Sequence, residues 1–432
     1  LQECIGMRLA YFVDEFPPFF RGGLGTYAME MTRQFVTMGH TVTVFSHNNG
    51  NDTTRDQWEG VEVHRPLLTD ISPVLPILNP CDVQKWDIKG QEFYQETLLY
   101  NFLSASKLVN ELVRMEKRTY EILVAHDWLA ALAGIVAKKN LHCPLVFHFH
   151  STEEGRTSNG SFTIKQIENM AAEQADLIVT VSYAMRDELV RLGYRESKIR
   201  VIYNGVDPGK YDPGRYSQQE ILEFRHKIGV GDSPMIFFIG RLTWVKGIDM
   251  LAMAMPMILK EIPNAKLVIL GKGEMEPLLS HIVKAHGLDR NVILNFSYVD
   301  EEERIRYYAA CDVAVFPSKY EPFGIVCTEA MSMGKPVVAG ARGTSGLREQ
   351  VEISEANPTG FHINPFDPGD IAKFTIRLLS DGELRKRMGV NARKRVLEQF
   401  TWEIVARDTL RVYEEAIEQS YSFAKDGVAP SL

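Results

Sequence analysis

Two carboxylates, Glu321 and Glu329, stand eight residues apart around a Pro322-Phe323-Gly324 turn. Before them Asp312–Phe316 reads as a short buried strand. After them Ile325, Val326, Ala330 and Met333 recur at helical spacing. Glu321 is therefore expected on a loop at the carboxyl end of a strand, where parallel α/β sheets hold ligands. Glu329 falls in the helix that follows. Ionised carboxylates are strong acceptors of O–H donors, so two of them aimed at one crevice suit a ligand rich in hydroxyls. The same pair also reads as a helix-start acid and a solvated helix acid, and the chemistry alone leaves these two readings level.

Cations follow another strand. Met235–Ile239 runs into Gly240-Arg241, and Lys246-Gly247 comes shortly after. An arginine fork binds phosphate oxygens in pairs, and a lysine acts on them as a point charge. One strand-end arginine is usually a surface charge, but Arg241 with Lys246, each beside a glycine, points to phosphate. Two glycine loops precede helices, Arg21-Gly22-Gly23-Leu24 and Gly343-Thr344-Ser345-Gly346-Leu347. Free amides and the dipole at a helix start hold anions. A lone Gly-Gly also serves hairpins; two such loops in two halves suggest a diphosphate gripped across a cleft.

His126, Asp127, His148 and His150 also stand at strand ends. Clustered His and Asp could ligate a metal, yet no H-x-x-x-H or H-E-x-x-H spacing is present. The expectation is a hydrogen-bonded role for each and no metal site. No G-x-S-x-G supports a hydrolase elbow. No P-loop, and no G-x-G-x-x-G after the first strand, supports a nucleotide triphosphatase or a dinucleotide dehydrogenase.

These residues need elements to position them. Arg8–Val13 reads as the first strand. Leu24, Ala28, Met31, Phe35 and Met38 form a helical stripe, Gly39 stops it, and Thr41–Phe45 is the next strand. Trp58–Pro66 reads as a strand region, Leu67–Gly90 as a long proline-rich irregular loop and Leu98–Lys117 as a helix. Ile122–Ala125, Leu145–Phe149, Leu177–Val181 and Ile199–Ile202 complete the first half. Pro208, Gly209, Pro213 and Gly214 mark a linker. Strands Met235–Ile239, Lys266–Leu270, Val292–Leu294, Val313–Phe316 and Pro336–Ala339 then alternate with helices Ile248–Ile262, Glu274–His286, Glu302–Ala310 and Ser345–Val351. The alternation predicts an α/β protein of two Rossmann-like parallel-sheet domains facing a cleft, residues 7–207 and 208–400. A last helix in 401–420 is expected to cross back and pack on the first domain.

With 432 residues the chain is long enough for two cores. It is 45% apolar and 24% charged with a formal net charge of −8, which argues against a nucleic-acid or anionic-membrane partner. Cys4, Cys81, Cys143, Cys311 and Cys327 form no C-x-x-C pair and read as reduced thiols of a cytoplasmic protein. No apolar run reaches the ~18 residues that span a bilayer. No signal peptide is read, and Met7 is taken as the start of the folded chain.

With these motifs the chain resembles the retaining glycosyltransferases of the two-domain GT-B fold, family 4 and the neighbouring glycogen and starch synthases. The residues that carry the likeness are Glu321-Pro-Phe-Gly…Glu329, an E-x7-E motif, and Gly240-Arg241-Leu242…Lys246-Gly247. The likeness runs from the Gly22-Gly23 loop to the returning C-terminal helix. It implies that Arg241 and Lys246 bind the donor diphosphate and stabilise the leaving group. It places Glu321 on the 3- and 4-hydroxyls of the donor sugar, with Phe323 and Gly324 in the same site, and Glu329 on the ribose. Gly22, Gly23 and Thr344 would approach the phosphates, and His150 the sugar 6-hydroxyl or the anomeric carbon.

Ala125-His126-Asp127-Trp128-Leu129 is similar to the His-Asp-Trp segment of glycogen synthases, whose Asp lies on the acceptor side. His150–Arg156 is similar to a stretch of α-glucan synthase-like members. The resemblance thus implies transfer of a hexose, glucose first, from UDP- or ADP-glucose to an α-glucan or oligosaccharide, with no metal or other cofactor. It leaves homo-oligomerisation open. Phe20-Arg21-Gly22-Gly23-Leu24 departs from the K-x-G-G-L of glycogen synthases, which keeps a lipid, polyol or sugar-phosphate acceptor as the alternative. A sugar-nucleotide 2-epimerase would lack the Glu321/Glu329 pattern, and a non-catalytic sensor would lack Arg241, Lys246 or Glu321.

Overall fold

The computed structural model describes residues 6–18, 22–157 and 160–425. The chain forms two compact units. Unit 1 comprises Leu1–Val181, Arg186–Ile202 and Trp402–Leu432; unit 2 comprises Ser182–Met185 and Tyr203–Thr401.

Unit 1 holds an eight-stranded sheet of β1 (Arg8–Phe12), β2 (Thr41–Phe45), β3 (Arg55–Trp58), β4 (Val61–His64), β5 (Ile122–His126), β6 (Leu145–Phe149), β7 (Leu177–Thr180) and β8 (Ile199–Val201). The spatial order is β3-β4-β2-β1-β5-β6-β7-β8. β5 and β6 are buried along their whole length, as are the last four residues of β1. That explains their continuous apolar runs, since a parallel strand covered on both faces has no polar side to alternate with. β3 alone is antiparallel, to β4. The strand region expected at Trp58–Pro66 is thus a hairpin, turned at Glu59 and Gly60, both with positive φ (45° and 85°).

The expected irregular loop contains short helical turns at Ser72–Val74, Leu75–Leu78 and Val83–Lys85. The next helix starts at Ile88 rather than Leu98, because Asp87 caps it by accepting the Gly90 amide. It runs to Ser106 and continues as a π-helix to Met115. The last helix, Trp402–Lys425, packs on the helix Gly23–Thr37 and on β6, and its Glu415 pairs with Arg200 of β8.

Unit 2 holds a six-stranded, all-parallel sheet of β9 (Met235–Ile239), β10 (Lys266–Leu270), β11 (Val292–Asn295), β12 (Val313–Phe316), β13 (Val337–Gly340) and β14 (Gly360–Ile363), ordered β11-β10-β9-β12-β13-β14. β14 and the helices Pro368–Ser380 and Gly382–Gln399 have no counterpart among the elements expected from the sequence. β14 is only Gly-Phe-His-Ile with two half-buried residues, too short for a period to register. The helix expected at Ser345–Val351 shrinks to Leu347–Gln350. Ser345 spends its hydroxyl on the Gly340 carbonyl instead of entering the helix.

Each sheet reverses its winding once near the middle. In unit 1 the reversal lies between β1 and β5, and in unit 2 between β9 and β12. Loops leaving such a switch point diverge to opposite faces and open a crevice at the carboxyl ends of the strands. Among the described residues no helix is long and apolar enough to cross a membrane.

Candidate functional site

In unit 2 the loops after β9 and β12 lock together. A Cβ on Gly247 would lie 2.0 Å from the Pro317 carbonyl oxygen, and its φ is +65°, so only glycine lets the first loop pack on the second. The Lys319 amide then donates to the Val245 carbonyl at 2.7 Å. The Lys319 ammonium donates to both oxygens of Asp249 at 3.2 Å and sits 4.5 Å from the Trp244 ring centre.

On this frame the Lys246 ammonium pairs with the Glu321 carboxylate at 2.5 Å, and Ser318 donates to the same oxygen at 3.1 Å. The Glu321 backbone is fixed from the loop after β13: its amide donates to the Thr344 carbonyl and its carbonyl accepts the Gly346 amide. A Cβ on Gly324, φ +94°, would meet the Leu347 side chain at 2.7 Å and the Glu321 side chain at 3.0 Å. Lys246, Glu321, Phe323, Gly324 and Thr344 are therefore gathered by three loops at the carboxyl ends of β9, β12 and β13. Arg241 leaves β9 exposed, and among the described residues its guanidinium has no hydrogen bond or ion pair.

The second acid faces a different environment. Glu329 is buried, with one oxygen accepting from the Tyr211 hydroxyl at 2.9 Å and the other from Tyr308 at 2.7 Å. Arg304 lies 3.5 Å from it and also donates to the Tyr211 hydroxyl at 2.7 Å. Burial, and then the negative charge of Glu329, push both phenols well above their ordinary range; the same charge pushes the Arg304 guanidinium up. Arg304, Tyr211, Tyr308, Lys319 and Asp249 were not picked out in the sequence. A buried charge needs a partner, but nothing in one sequence says which residue supplies it.

In unit 1 the histidines gather by sheet register, not by local spacing. His126, the last residue of β5, and His148, the last but one of β6, are direct partners. His150 follows β6, and its Nε2 lies 3.0 Å from His126 Nδ1. His148 faces the Tyr27 hydroxyl at 3.5 Å and the Tyr413 hydroxyl at 3.0 Å. One nitrogen from each of the three rings lies within 4.8 Å of the others, a cluster that the search for helical His spacings could not reveal. Burial holds all three below the ordinary imidazole range, His126 and His148 most. Asp127 adopts a left-handed φ of +50°, and its carboxylate accepts the His150 amide at 2.8 Å. This acid thus fixes the backbone of the loop that carries His150.

The stretch His150–Arg156 also turns inward. Thr152 is buried, donates to Glu188 and accepts the Gly155 amide. Glu153 accepts the Ser161 amide at 2.9 Å, and its own amide donates to Glu168 at 2.9 Å. Burial pushes the Glu168 carboxyl up to about 8. These residues shape the loop. At the other glycine loop, the helix starts at Gly23, and the Gly22 amide donates to the Glu15 carboxylate at 2.9 Å. Phe20 and Arg21 lie outside the described residues.

The chain matches the family model for glycosyl transferases group 1 over residues 220–395 and that for Glycosyltransferase Family 4 over residues 21–210. An uncharacterised glycosyltransferase of Methanocaldococcus jannaschii is 34% identical across 95% of this chain and 99% of its own. A glycogen synthase of Mycobacterium tuberculosis is 26% identical across 94% of each chain. A D-inositol 3-phosphate glycosyltransferase of Xylanimonas cellulosilytica is 28% identical across 91% and 92%. The solved sucrose-phosphate synthase of Thermosynechococcus elongatus superposes with a TM-score of 0.76 at 22% identity, covering 96% of this chain and 100% of that one, and shares the fold.

Proposed function

The chain belongs to the group 1, family 4 glycosyltransferases, and from that premise we propose that it moves glucose from a nucleoside diphosphate sugar to an α-glucan or oligosaccharide, with retention at the anomeric carbon. The observation that carries this reading is the Lys246–Glu321 pair at the switch point between β9 and β12, with the unpartnered Arg241 on the same loop as Lys246. An acid and a base pair there without a donor. A bound diphosphate offers Lys246 a stronger partner and frees Glu321 to accept the hydroxyls of the sugar.

In the transfer the bond from the anomeric carbon to the diphosphate breaks. The acceptor oxygen bonds to that carbon on the same face, and its proton passes to the departing phosphate oxygen. Arg241 and Lys246 face the charge that grows on the diphosphate, a preorganised contribution that costs no reorganisation at the moment of reaction. We assign Thr344 and Gly22-Gly23 to the phosphates, and Phe323 and Gly324 to the donor sugar. Glu329 keeps the ribose, since each of its oxygens retains a second lone pair. Asp127 and His150 are assigned to the acceptor side and the sugar 6-hydroxyl. No metal or other cofactor is invoked.

The acceptor class is supported by the glycogen synthase relative and by the His-Asp-Trp segment at Asp127. The inositol phosphate relative, similar at comparable identity, favours a phosphorylated polyol as the second reading. The test is release of nucleoside diphosphate from ADP-, UDP- and GDP-glucose with glycogen, maltooligosaccharide or inositol phosphate added. Glucan-dependent release with a lengthened α-linked product supports the first reading. Release that requires the polyol phosphate replaces it with the second. No release from any sugar nucleotide overturns the donor assignment.

A further inference from the structure

We propose that His126 is a positioning residue that fixes the proton of His150 on Nδ1, so that His150 turns an N–H donor toward the sugar hydroxyl assigned to it. The inference rests on that assignment and names the atom that makes the contact. His126 is the last residue of β5, and its Nδ1 lies 3.0 Å from His150 Nε2. The next residue, Asp127, accepts the His150 amide at 2.8 Å. Two adjacent residues thus hold His150 at both ends, Asp127 by the backbone and His126 by the ring.

The protons on the two rings can be counted. Burial holds both imidazoles below their ordinary range, so each is neutral and carries one proton. Two bare nitrogens repel and two N–H groups clash, so the 3.0 Å contact has a proton on one side only. If His150 Nε2 held it, the His126 proton would sit on its own Nε2. That nitrogen is fully buried and has no hydrogen-bond partner among the described residues. Orphaned buried N–H groups are rarer than unpaired acceptors. The shared proton therefore lies on His126 Nδ1, which donates to His150 Nε2, and His150 keeps its own proton on Nδ1.

The surrounding rings keep this arrangement from turning. The His126 ring packs against Tyr11, Tyr27 and His148, with ring centres 4.4, 5.7 and 4.5 Å away. His148 does not compete for either partner, because its two nitrogens face the Tyr27 and Tyr413 hydroxyls. His150 is the half-buried member of the three, and no described residue hydrogen-bonds its Nδ1. The tautomer of a histidine is set by the bond that its other nitrogen makes, and here His126 supplies that bond. A hydroxyl that meets a fixed N–H accepts with a lone pair and keeps its own proton for a second partner.

The first readout is the tautomer itself. Long-range ¹H–¹⁵N spectra of the full chain labelled with ¹⁵N-histidine distinguish Nδ1–H from Nε2–H rings, and His150→Gln identifies the His150 signal by its loss. An Nδ1–H ring is expected; an Nε2–H or averaged ring overturns the proposal, and no substrate is needed. The second readout is the ratio of kcat/KM for the glucose nucleotide that the chain turns over (ADP-, UDP- or GDP-glucose) to that for its 6-deoxyglucose counterpart. The wild type should favour the hydroxyl by about ten-fold, the size of one hydrogen bond. His126→Asn, whose amide overlays Nδ1, should keep most of that preference. His126→Gln, whose amide overlays Nε2, should bring it near parity, and a folded His126→Gln chain with the wild-type preference overturns the proposal. The wild-type spectrum decides even if neither variant folds. A wild type indifferent to the 6-hydroxyl overturns the sugar contact on which the proposal rests, and the spectrum tells the two failures apart.

Discussion

The two switch points of this chain solve opposite electrostatic problems. In unit 2 the crevice is lined with full charges, three of them paired, Lys246 with Glu321, Lys319 with Asp249 and Arg304 with Glu329, and Arg241 left open. In unit 1 the corresponding place holds neutral rings, with burial keeping three imidazoles uncharged among the tyrosines 11, 27 and 413. A buried charge is held by a partner of opposite sign, whereas a buried imidazole escapes the cost of desolvation by staying neutral. The difference teaches that one architecture can meet the same burial problem by pairing charges in one unit and by removing them in the other. It can be broken from either side.

The largest effect is expected at Glu329. Glu329→Ala takes the acceptor from the buried phenols of Tyr211 and Tyr308 and leaves half-buried Arg304 with Glu301, 3.4 Å away, as its remaining anion. Leaving a buried donor unsatisfied costs about 1–3 kcal/mol for each of the two phenols, read as a lower midpoint in denaturant unfolding. If Glu329 acts on the nucleotide alone, the midpoint stays put and only nucleotide affinity falls.

Lys246→Ala comes next. Loss of one group that stabilises charge in the transition state typically costs about 10²–10³ in kcat. The same change strips Glu321 of its cation, so stability falls as well. The double variant Lys246→Ala/Glu321→Gln separates the two effects. Its melting temperature should recover while turnover does not. Turnover that returns with stability would make the pair a structural strut and remove Lys246 from the diphosphate.

A pH experiment probes the loop that carries His150. Glu168 has its carboxyl raised from 4.5 to about 8 by burial, so between those values the folded chain binds a proton that the unfolded chain has released. Its contribution to stability is whole below about pH 4.5, declines as pH rises toward 8, and changes no further above that. Glu168→Gln keeps an acceptor for the Glu153 amide and cannot ionise, so this decline should vanish. His64 works in the opposite sense: burial lowers it to about 4, and its contribution is lost as pH falls from 6.5. The difference between wild type and Glu168→Gln cancels that second term. A curve with an unchanged alkaline slope would place the charge of Glu168 in water.

How much of this could be read beforehand differs between the units for the same physical reason. The unit 2 crevice was legible because its charges sit on loops beside glycines, where the chain itself advertises an exception to core chemistry. Lys246, Glu321, Phe323, Gly324 and Thr344 all fall together there. The partners of Glu329 were not legible, because Tyr211 comes from the linker and Arg304 and Tyr308 from another helix. In unit 1 the strands announced themselves by continuous apolar runs, but strand order is not written locally. Only the pairing of β5 with β6 sets His126 against His148. His150–Arg156 is similar to a stretch of α-glucan synthase-like members, but short motifs do not say which way a loop turns, and Thr152 and Glu153 face inward. Helix starts were missed where a cap, such as Asp87, sets them rather than an apolar period.

The smallest effect sharpens the neutral side of the comparison. Tyr413 lies on the last helix, fully buried, with its hydroxyl 3.0 Å from His148 Nε2 and its ring 5.9 Å from Phe35. Tyr413→Phe preserves the ring packing and removes one neutral hydrogen bond, worth about 1 kcal/mol. The loss should show as faster amide exchange along Trp402–Lys425 and the helix Gly23–Thr37 that it packs on, with unit 2 unaffected. His148 keeps Tyr27 as a neighbour, so the ring is not left wholly unpaired and the cost stays small. A loss of several kcal/mol from this one oxygen atom would mean that the buried imidazoles form a coupled network rather than separate neutral contacts. Unit 1 would then depend on its polar interior as strongly as unit 2 depends on its charges.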